Sequence, residues 1–305
     1  MNLLELVLVA IMQGVVEWMP ISSEGQVVLV VINLLKIDLV TAVSLALFLH
    51  LGTMMVVLLV FRKEFFGMIW HLLPANDDKN FDMLDHQPAT YRYMILLLVA
   101  ITFGTVISAV PSFLFVEDIW NAVAESTGVP LGEVATLLVG LLLVITGTLL
   151  FLQKRTEKTG REKKSFEELA LVNAFILGLF QGFAAMPGIS RSGITITVLL
   201  FMNLQHPEAL KGSFIASIPA SFGASVLLFM KGDIVFAFAT GNFVVNETLW
   251  FSMGEIVLAL TIVFVTGLLT MIFLIRISEW MPYWQFCVGF GLLAIVAVLT
   301  GQLLS

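Results

Sequence analysis

The chain has 305 residues, 59% of them hydrophobic and only 12% charged, and its mean hydropathy is +1.02. A soluble domain carries about 25% charged residues, so this composition excludes the soluble and disordered classes and indicates an integral membrane protein. The net charge of -7 is scattered through loops with no acidic or basic tail, which gives no sign of nucleic-acid binding, and the single cysteine, Cys287, excludes an internal disulfide.

The N-terminus has no basic region or small-residue cleavage site and carries Glu5 inside its first apolar stretch, so it is read as part of the mature fold. Residues 3–35 are apolar but cut near the middle by QGVVEWMPISSEGQ, from Gln13 to Gln26. Such a cut leaves two short helical arms, a re-entrant pair. Full spans of about 20 apolar residues follow at roughly 40–61, 93–115 and 133–152. The expected loop from Val116 to Gly132 holds Glu117, Asp118 and Glu125 but no Lys or Arg, whereas the linker after the third span holds Lys154, Arg155, Lys158, Arg161, Lys163 and Lys164. Residues 168–205 form a second interrupted stretch, cut by QGFAAMPGISRSGIT from Gln181 to Thr195, and spans at roughly 209–230, 254–275 and 284–303 complete the chain.

A re-entrant pair followed by three spans is thus stated twice, with Gln13 and Gln181 separated by 168 residues. The odd number of spans inverts the second copy. The expected architecture is an all-α integral membrane protein of inverted-topology repeats, one domain over 1–305, with repeat 1 at 1–152, a linker at 153–167 and repeat 2 at 168–305. Positive charge places the linker in the cytoplasm, the 116–132 loop outside, Arg62, Lys63, Lys79, Arg92 and Arg276 inside, and both termini outside. Trp70, Trp250, Trp280 and Trp284 sit near expected membrane boundaries and read as interfacial anchors; no pattern fixes an oligomeric state.

In the second motif, Met186 to Gly193 leads directly into ITITVLLFMN, so the loop opens a helix. Gly188 and Gly193 allow tight backbone geometry, helix-terminal amides favour an anion, and Ser190, Ser192 and Thr195 add hydroxyls. Arg191 supplies a fork suited to phosphate. An Arg at mid-membrane costs about 2.5–3.5 kcal/mol on insertion scales, so it needs a partner: a bound anion, or permanent pairing with Glu17 or Glu24.

In the first motif, Glu17 precedes Trp18, Met19 and Pro20, and Ser22, Ser23, Glu24 and Gln26 follow the break. Glu17 and Glu24 are candidate ligands for a divalent cation, Mg or Ca rather than Zn, with a serine hydroxyl acting on phosphorus. The plainer role is capping of the second arm by Ser22 and Ser23, with Glu24 favoured by the helix dipole. His50 lies near the centre of the first span, where an ionisable residue is a functional candidate.

These residues carry a resemblance. Glu17–Trp18 with Pro20 and the Ser22–Ser23 pair, together with PGISRSG in the second half, resembles the bacitracin-resistance family of undecaprenyl-diphosphate phosphatases. LHLGTMM at Leu49–Met55 and SFIASIPASFGAS at Ser213–Ser225 extend the likeness over essentially the whole chain. It implies a cell-membrane enzyme that removes the terminal phosphate of a polyprenyl diphosphate, with a divalent cation, to recycle the lipid carrier of envelope synthesis. By the same resemblance Glu17, Ser23 and Arg191 are catalytic and Ser190, Arg191 and Thr195 bind phosphate. Gln13 and Gln26 stand where the family usually has Glu and His, while Glu24 stands where it usually has Thr; Glu24 and His50 are candidates to compensate. Ser22, Gln26, Gly188, Ser192 and Gly193 complete the expected binding set. Transport of a polyprenyl phosphate and lipid binding without turnover remain open, since neither needs the ionisable groups replaced by Gln13 and Gln26.

Overall fold

The structure is a computed structural model describing residues 1–19, 21–72, 88–156, 163–186, 189–237, 242–277 and 283–304. Gly188, Lys79, Lys158, Arg161 and Trp280 lie outside the described residues. The interrupted stretches form pairs of short helices, α1 (Leu3–Val16) with α2 (Ser23–Asn33) and α7 (Leu171–Gly182) with α8 (Arg191–Phe201). The longest, α1 with 14 residues, reaches about 21 Å at 1.5 Å per residue, too short to cross a hydrocarbon core of about 30 Å. Glu5 is explained locally: Asn2 caps α1 by accepting from the Glu5 amide at 2.9 Å, and the Glu5 carboxylate accepts from the Asn2 amide at 2.7 Å.

Five helices among the described residues contain spans long and apolar enough to cross a membrane, in α3 (Leu39–Val60), α5 (Pro88–Thr127), α6 (Leu131–Thr156), α9 (His206–Lys231) and α10 (Met253–Ile277). The sixth expected span is α11 (Tyr283–Leu304), apolar over Trp284–Thr300. Helix α5 corrects one expectation. The acidic stretch read as a loop from Val116 continues helical to Thr127, so α5 has 40 residues, with Pro111 inside it.

Two elements have no counterpart in the sequence reading. Helix α4 (Arg62–Leu72) turns Phe66, Ile69 and Leu72 outward, a three-residue apolar spacing too short to register as a span. Between α9 and α10, β1 (Ile234–Ala237), β2 (Asn242–Val245) and β3 (Leu249–Ser252) form an antiparallel sheet in the order β1-β2-β3. Phe243 pairs with Phe251 and Val244 with Trp250, and the turn between β2 and β3 places Asn246 and Glu247 at φ 52° and 60°. Positive φ at both positions matches the twist of a tight hairpin, and Asn tolerates it well. Phe243 stacks obliquely on Phe48 of α3 at 4.5 Å, which joins the sheet to the core beneath it.

The helices exchange partners between the halves. Arm α1 packs on α10 while arm α7 packs on α5, α3 meets α9, and α6 meets α11. The Gln-Gly dipeptide of each motif accounts for the closeness of the first two crossings. A Cβ on Gly14 would sit 2.7 Å from the Val263 carbonyl oxygen of α10, and one on Gly182 would sit 2.5 Å from the Thr105 carbonyl oxygen of α5. Only glycine lets backbones approach so closely, the usual device for packing helices where solvent gives no driving force. Gly14→Ala is therefore expected to lower stability by about 1–3 kcal/mol through overpacking. Gly289→Ala on α11, where a Cβ meets nothing within 4 Å, should leave thermal unfolding in detergent unchanged or slightly raised.

Candidate functional site

Each break ends on a serine that caps the following arm. Ser22, with φ 58° and ψ 82° in the left-handed region, accepts from the Gly25 amide at 3.2 Å, and Ser190 accepts from the Gly193 amide at 3.1 Å. A left-handed serine is strained, and strain of this kind collects at functional breaks. The expected capping is therefore present, at Ser22 rather than Ser23. Trp18 holds the first break in place: it is buried, donates from Nε1 to the Gly267 carbonyl at 2.7 Å and sets its ring edge-on to Phe214 at 5.1 Å.

The two breaks meet at Glu17. Its Oε1 accepts from Arg191 Nη2. Its Oε2 accepts from Ser23 Oγ at 2.6 Å and from Gln13 Nε2 at 2.8 Å, and stands 3.2 Å from His50 Nε2. Glu17 is 3% exposed, so this carboxylate has exchanged water for groups from α1, α2, α3 and α8. Arg191 extends further, donating from Nη1 to Ser221 Oγ of α9 at 2.9 Å. Ser192 Oγ donates to the Met19 carbonyl at 3.1 Å and ties the second loop to the first motif.

A cavity of about 350 Å3 opens beside this cluster. Glu17, Ser22, Ser23, Glu24, His50 and Arg191 line one end, with Ser190 and Ser192 beside them. The cavity then runs between α5 and α9 along Val106, Ala109 and Val110 on one wall and Ala220, Ala224 and Leu227 on the other. Val106 is 52% and Leu227 37% exposed, so the apolar end is open at the side of the helix bundle. A charged, hydroxyl-rich head and an apolar, laterally open tail fit an amphiphile with an anionic end.

Not every expected residue reaches this cavity. Thr195 is fully buried one turn along α8, where its hydroxyl bonds the Arg191 carbonyl at 2.7 Å and shares a 2.6 Å contact with Ser213; it braces the loop from behind. Gln26 turns back on the break, donating to the Ile21 carbonyl at 3.3 Å, and is absent from the lining. The amide of Gly193 is committed to Ser190. Glu24 lines the cavity, and its buried Oε1 has no hydrogen-bond partner among the described residues. Ser221 and Gln181 are additions. Gln181 donates to Thr105 Oγ1 at 3.0 Å and the Ala216 carbonyl at 3.1 Å. The one sequence signal for Ser221 is the four-residue spacing of Ser213, Ser217, Ser221 and Ser225 along α9, all of them buried.

The donor set can be tested against the divalent cation. Among the described residues no group of three or more His, Cys, Asp or Glu side chains stands ready to hold a metal. Both Glu17 oxygens already accept. A Mg ion, however, is ordinarily held by one or two carboxylates together with waters and substrate phosphates, and the Glu24 carboxylate, with its unpartnered Oε1 lining the cavity beside Ser190 and Ser192, suits that arrangement.

A family model described as bacitracin resistance protein BacA matches residues 6–296. The chain belongs to that family. Among curated relatives, the undecaprenyl-diphosphatase of Methanothrix thermoacetophila is 34% identical over 295 residues, covering 97% of this chain and 96% of its own length. The proteins of the same name from Haloarcula marismortui and Sulfurisphaera tokodaii are 31% and 28% identical, over 95% and 98% of this chain and 95% and 99% of their own lengths.

The contrast between the two cavity carboxylates is measurable. Glu17→Gln breaks a buried pairing and should cost about 3–5 kcal/mol, while Glu24→Gln alters a carboxylate whose buried Oε1 has no donor among the described residues and should leave unfolding temperature unchanged or raised. Thermal unfolding of both variants in the same detergent separates the two roles.

Proposed function

We propose that this chain is a polyprenyl-diphosphate phosphatase of the undecaprenyl type, releasing inorganic phosphate and returning the lipid monophosphate carrier. The observation that carries the reading is the cavity that joins the Arg191–Glu17–Ser23 cluster to an apolar opening on the flank of the bundle. The name shared by full-length relatives supports hydrolysis over transport. The phosphate end of the substrate engages Arg191, Ser190 and Ser192, and the prenyl chain lies between α5 and α9 with its remainder in lipid.

In the chemical step Ser23 Oγ attacks the terminal phosphorus as the bond to the bridging oxygen breaks. The Oγ proton passes along the 2.6 Å hydrogen bond to Glu17, and the lipid monophosphate leaves. Water then cleaves the phosphoserine, giving inorganic phosphate and restoring Ser23. Glu24 would hold a divalent cation, Mg or Ca, jointly with diphosphate oxygens, and Glu17 would join it only by releasing one of its present donors; the cation supplies charge neutralisation. Arg191 supplies the fixed positive charge on the transferring group.

The partner exchange of α1 with α10 and α7 with α5 supports the inverted-repeat reading, with repeats at 1–152 and 168–305. The distribution of Lys and Arg supports a topology in a cell membrane with the linker at 153–167 in the cytoplasm and both termini outside. The apolar walls lie in the C-terminal halves of the apolar spans of α5 (Ala89–Ser112) and α9 (His206–Lys231), so on that topology the cavity opens in the outer half of the bilayer.

Phosphate release from farnesyl diphosphate in detergent, with Mg or Ca present, tests the proposal. Arg191→Ala should lose about 100- to 1,000-fold in kcat, the range for removing one charge-stabilising donor, and Ser23→Ala at least as much. Glu24→Thr should lose most of the stimulation by the divalent cation. Wild-type release no greater than that of Arg191→Ala would sink the reading.

A further inference from the structure

We infer that His50 is a positioning residue that keeps Glu17 on Ser23 while Arg191 passes from Glu17 to phosphate. This rests on the phosphate-binding reading of the cavity. Arg191 is the single Lys or Arg among the lining residues, and both of its terminal nitrogens are already engaged, Nη2 on Glu17 and Nη1 on Ser221. A phosphate group entering the cavity therefore competes directly for the guanidinium that neutralises Glu17. Glu17 is buried, so a carboxylate stripped of its cation is left with its desolvation uncompensated and is repelled by the phosphate beside it. Some second donor has to stay on it.

The surroundings offer few. Gln13 contributes a neutral amide, Glu24 is another carboxylate, and Gln26 is turned away to Ile21. His50 comes from α3, outside both breaks, so movement of either loop does not carry it away. Its ring is oriented by the chain itself: Nδ1 lies 2.8 Å from the Ala46 carbonyl, which can only accept, so Nδ1 carries a proton and Nε2 is the nitrogen left facing Glu17 Oε2 at 3.2 Å. That contact is an ion pair when the ring holds both protons. Because Ser23 donates to the same Oε2, the atom that His50 restrains is the one that receives the proton of the attacking hydroxyl. Arg191 and His50 thus divide one carboxylate, Oε1 releasable and Oε2 retained.

Three measurements on wild type, His50→Leu and His50→Gln test this: phosphate release from farnesyl diphosphate, calorimetric binding of inorganic phosphate, and thermal unfolding. His50→Leu should unfold within a few degrees of wild type, because Arg191 still pairs with Glu17 when no ligand is bound. Its kcat should nevertheless fall by about 100-fold, the loss expected for a misplaced reacting group, and its affinity for phosphate by about tenfold. His50→Gln, which keeps an N–H donor on a similar reach, should recover about tenfold of that kcat. His50→Leu within twofold of wild type in both kcat and phosphate affinity overturns the inference. So does an equal loss in both variants accompanied by a lowered unfolding temperature, which marks a packing residue. Wild type that binds phosphate but hydrolyses nothing defeats the phosphatase reading, and the phosphate affinities of the two variants still decide the role of His50. Wild type that binds no phosphate overturns both.

Discussion

A carboxylate within a membrane must be supplied with donors by the protein, and most of the site follows from how Glu17 obtains them. Its four partners come from both sides of its own break, from the neighbouring span and from the opposite half of the chain. Bringing Arg191 of α8 and Glu17, just past the end of α1, together requires two short arms to end at the same depth. That in turn requires each arm to be seated against a full span of the other half. The charge pair, the broken helices and the exchanged packing are one arrangement described at three scales.

The matching motifs do different work. On the first half Gln13 turns its amide into the charge cluster, while on the second Gln181 turns its amide to Thr105 and the Ala216 carbonyl and braces its arm against α5 and α9. Ser192 then bridges the loops through the Met19 carbonyl. The second loop presents hydroxyls and a cation; the first presents carboxylates and Ser23. On the proposed function an amphiphile with an anionic head would meet both at the inner end of an apolar channel, with the membrane as the reservoir for its tail.

The interruptions were legible in the sequence because Pro, Gly and Ser clusters within long apolar stretches have no other inexpensive reading in lipid. The pairing of Arg191 with Glu17 was legible as one of two alternatives, and on the proposed function both hold in turn, the guanidinium passing from Glu17 to phosphate. Other features were not. The 40 residues of α5 were obscured by Pro111 and by an acidic stretch that resembles a loop, although acidic side chains beyond the apolar span suit a helix continuing into water. Strands of four residues leave too short an alternation to distinguish from a helix end, so the β sheet was missed. The retreat of Gln26 and Thr195 from the cavity depends on which face of an arm turns inward, and a motif spacing does not contain that.

The exchanged packing also governs the order in which the molecule can be completed. Trp18 finds its hydrogen-bond partner at Gly267, 249 residues later, and Gly14 is shaped for the same helix. The first arm is therefore inserted long before its seat on α10 exists, and a polar break must wait in the bilayer through the synthesis of nearly the whole chain. Contacts of such separation close late and slowly. For this fold the hazardous interval falls during biogenesis, when Glu17 has entered the membrane and Arg191 has not.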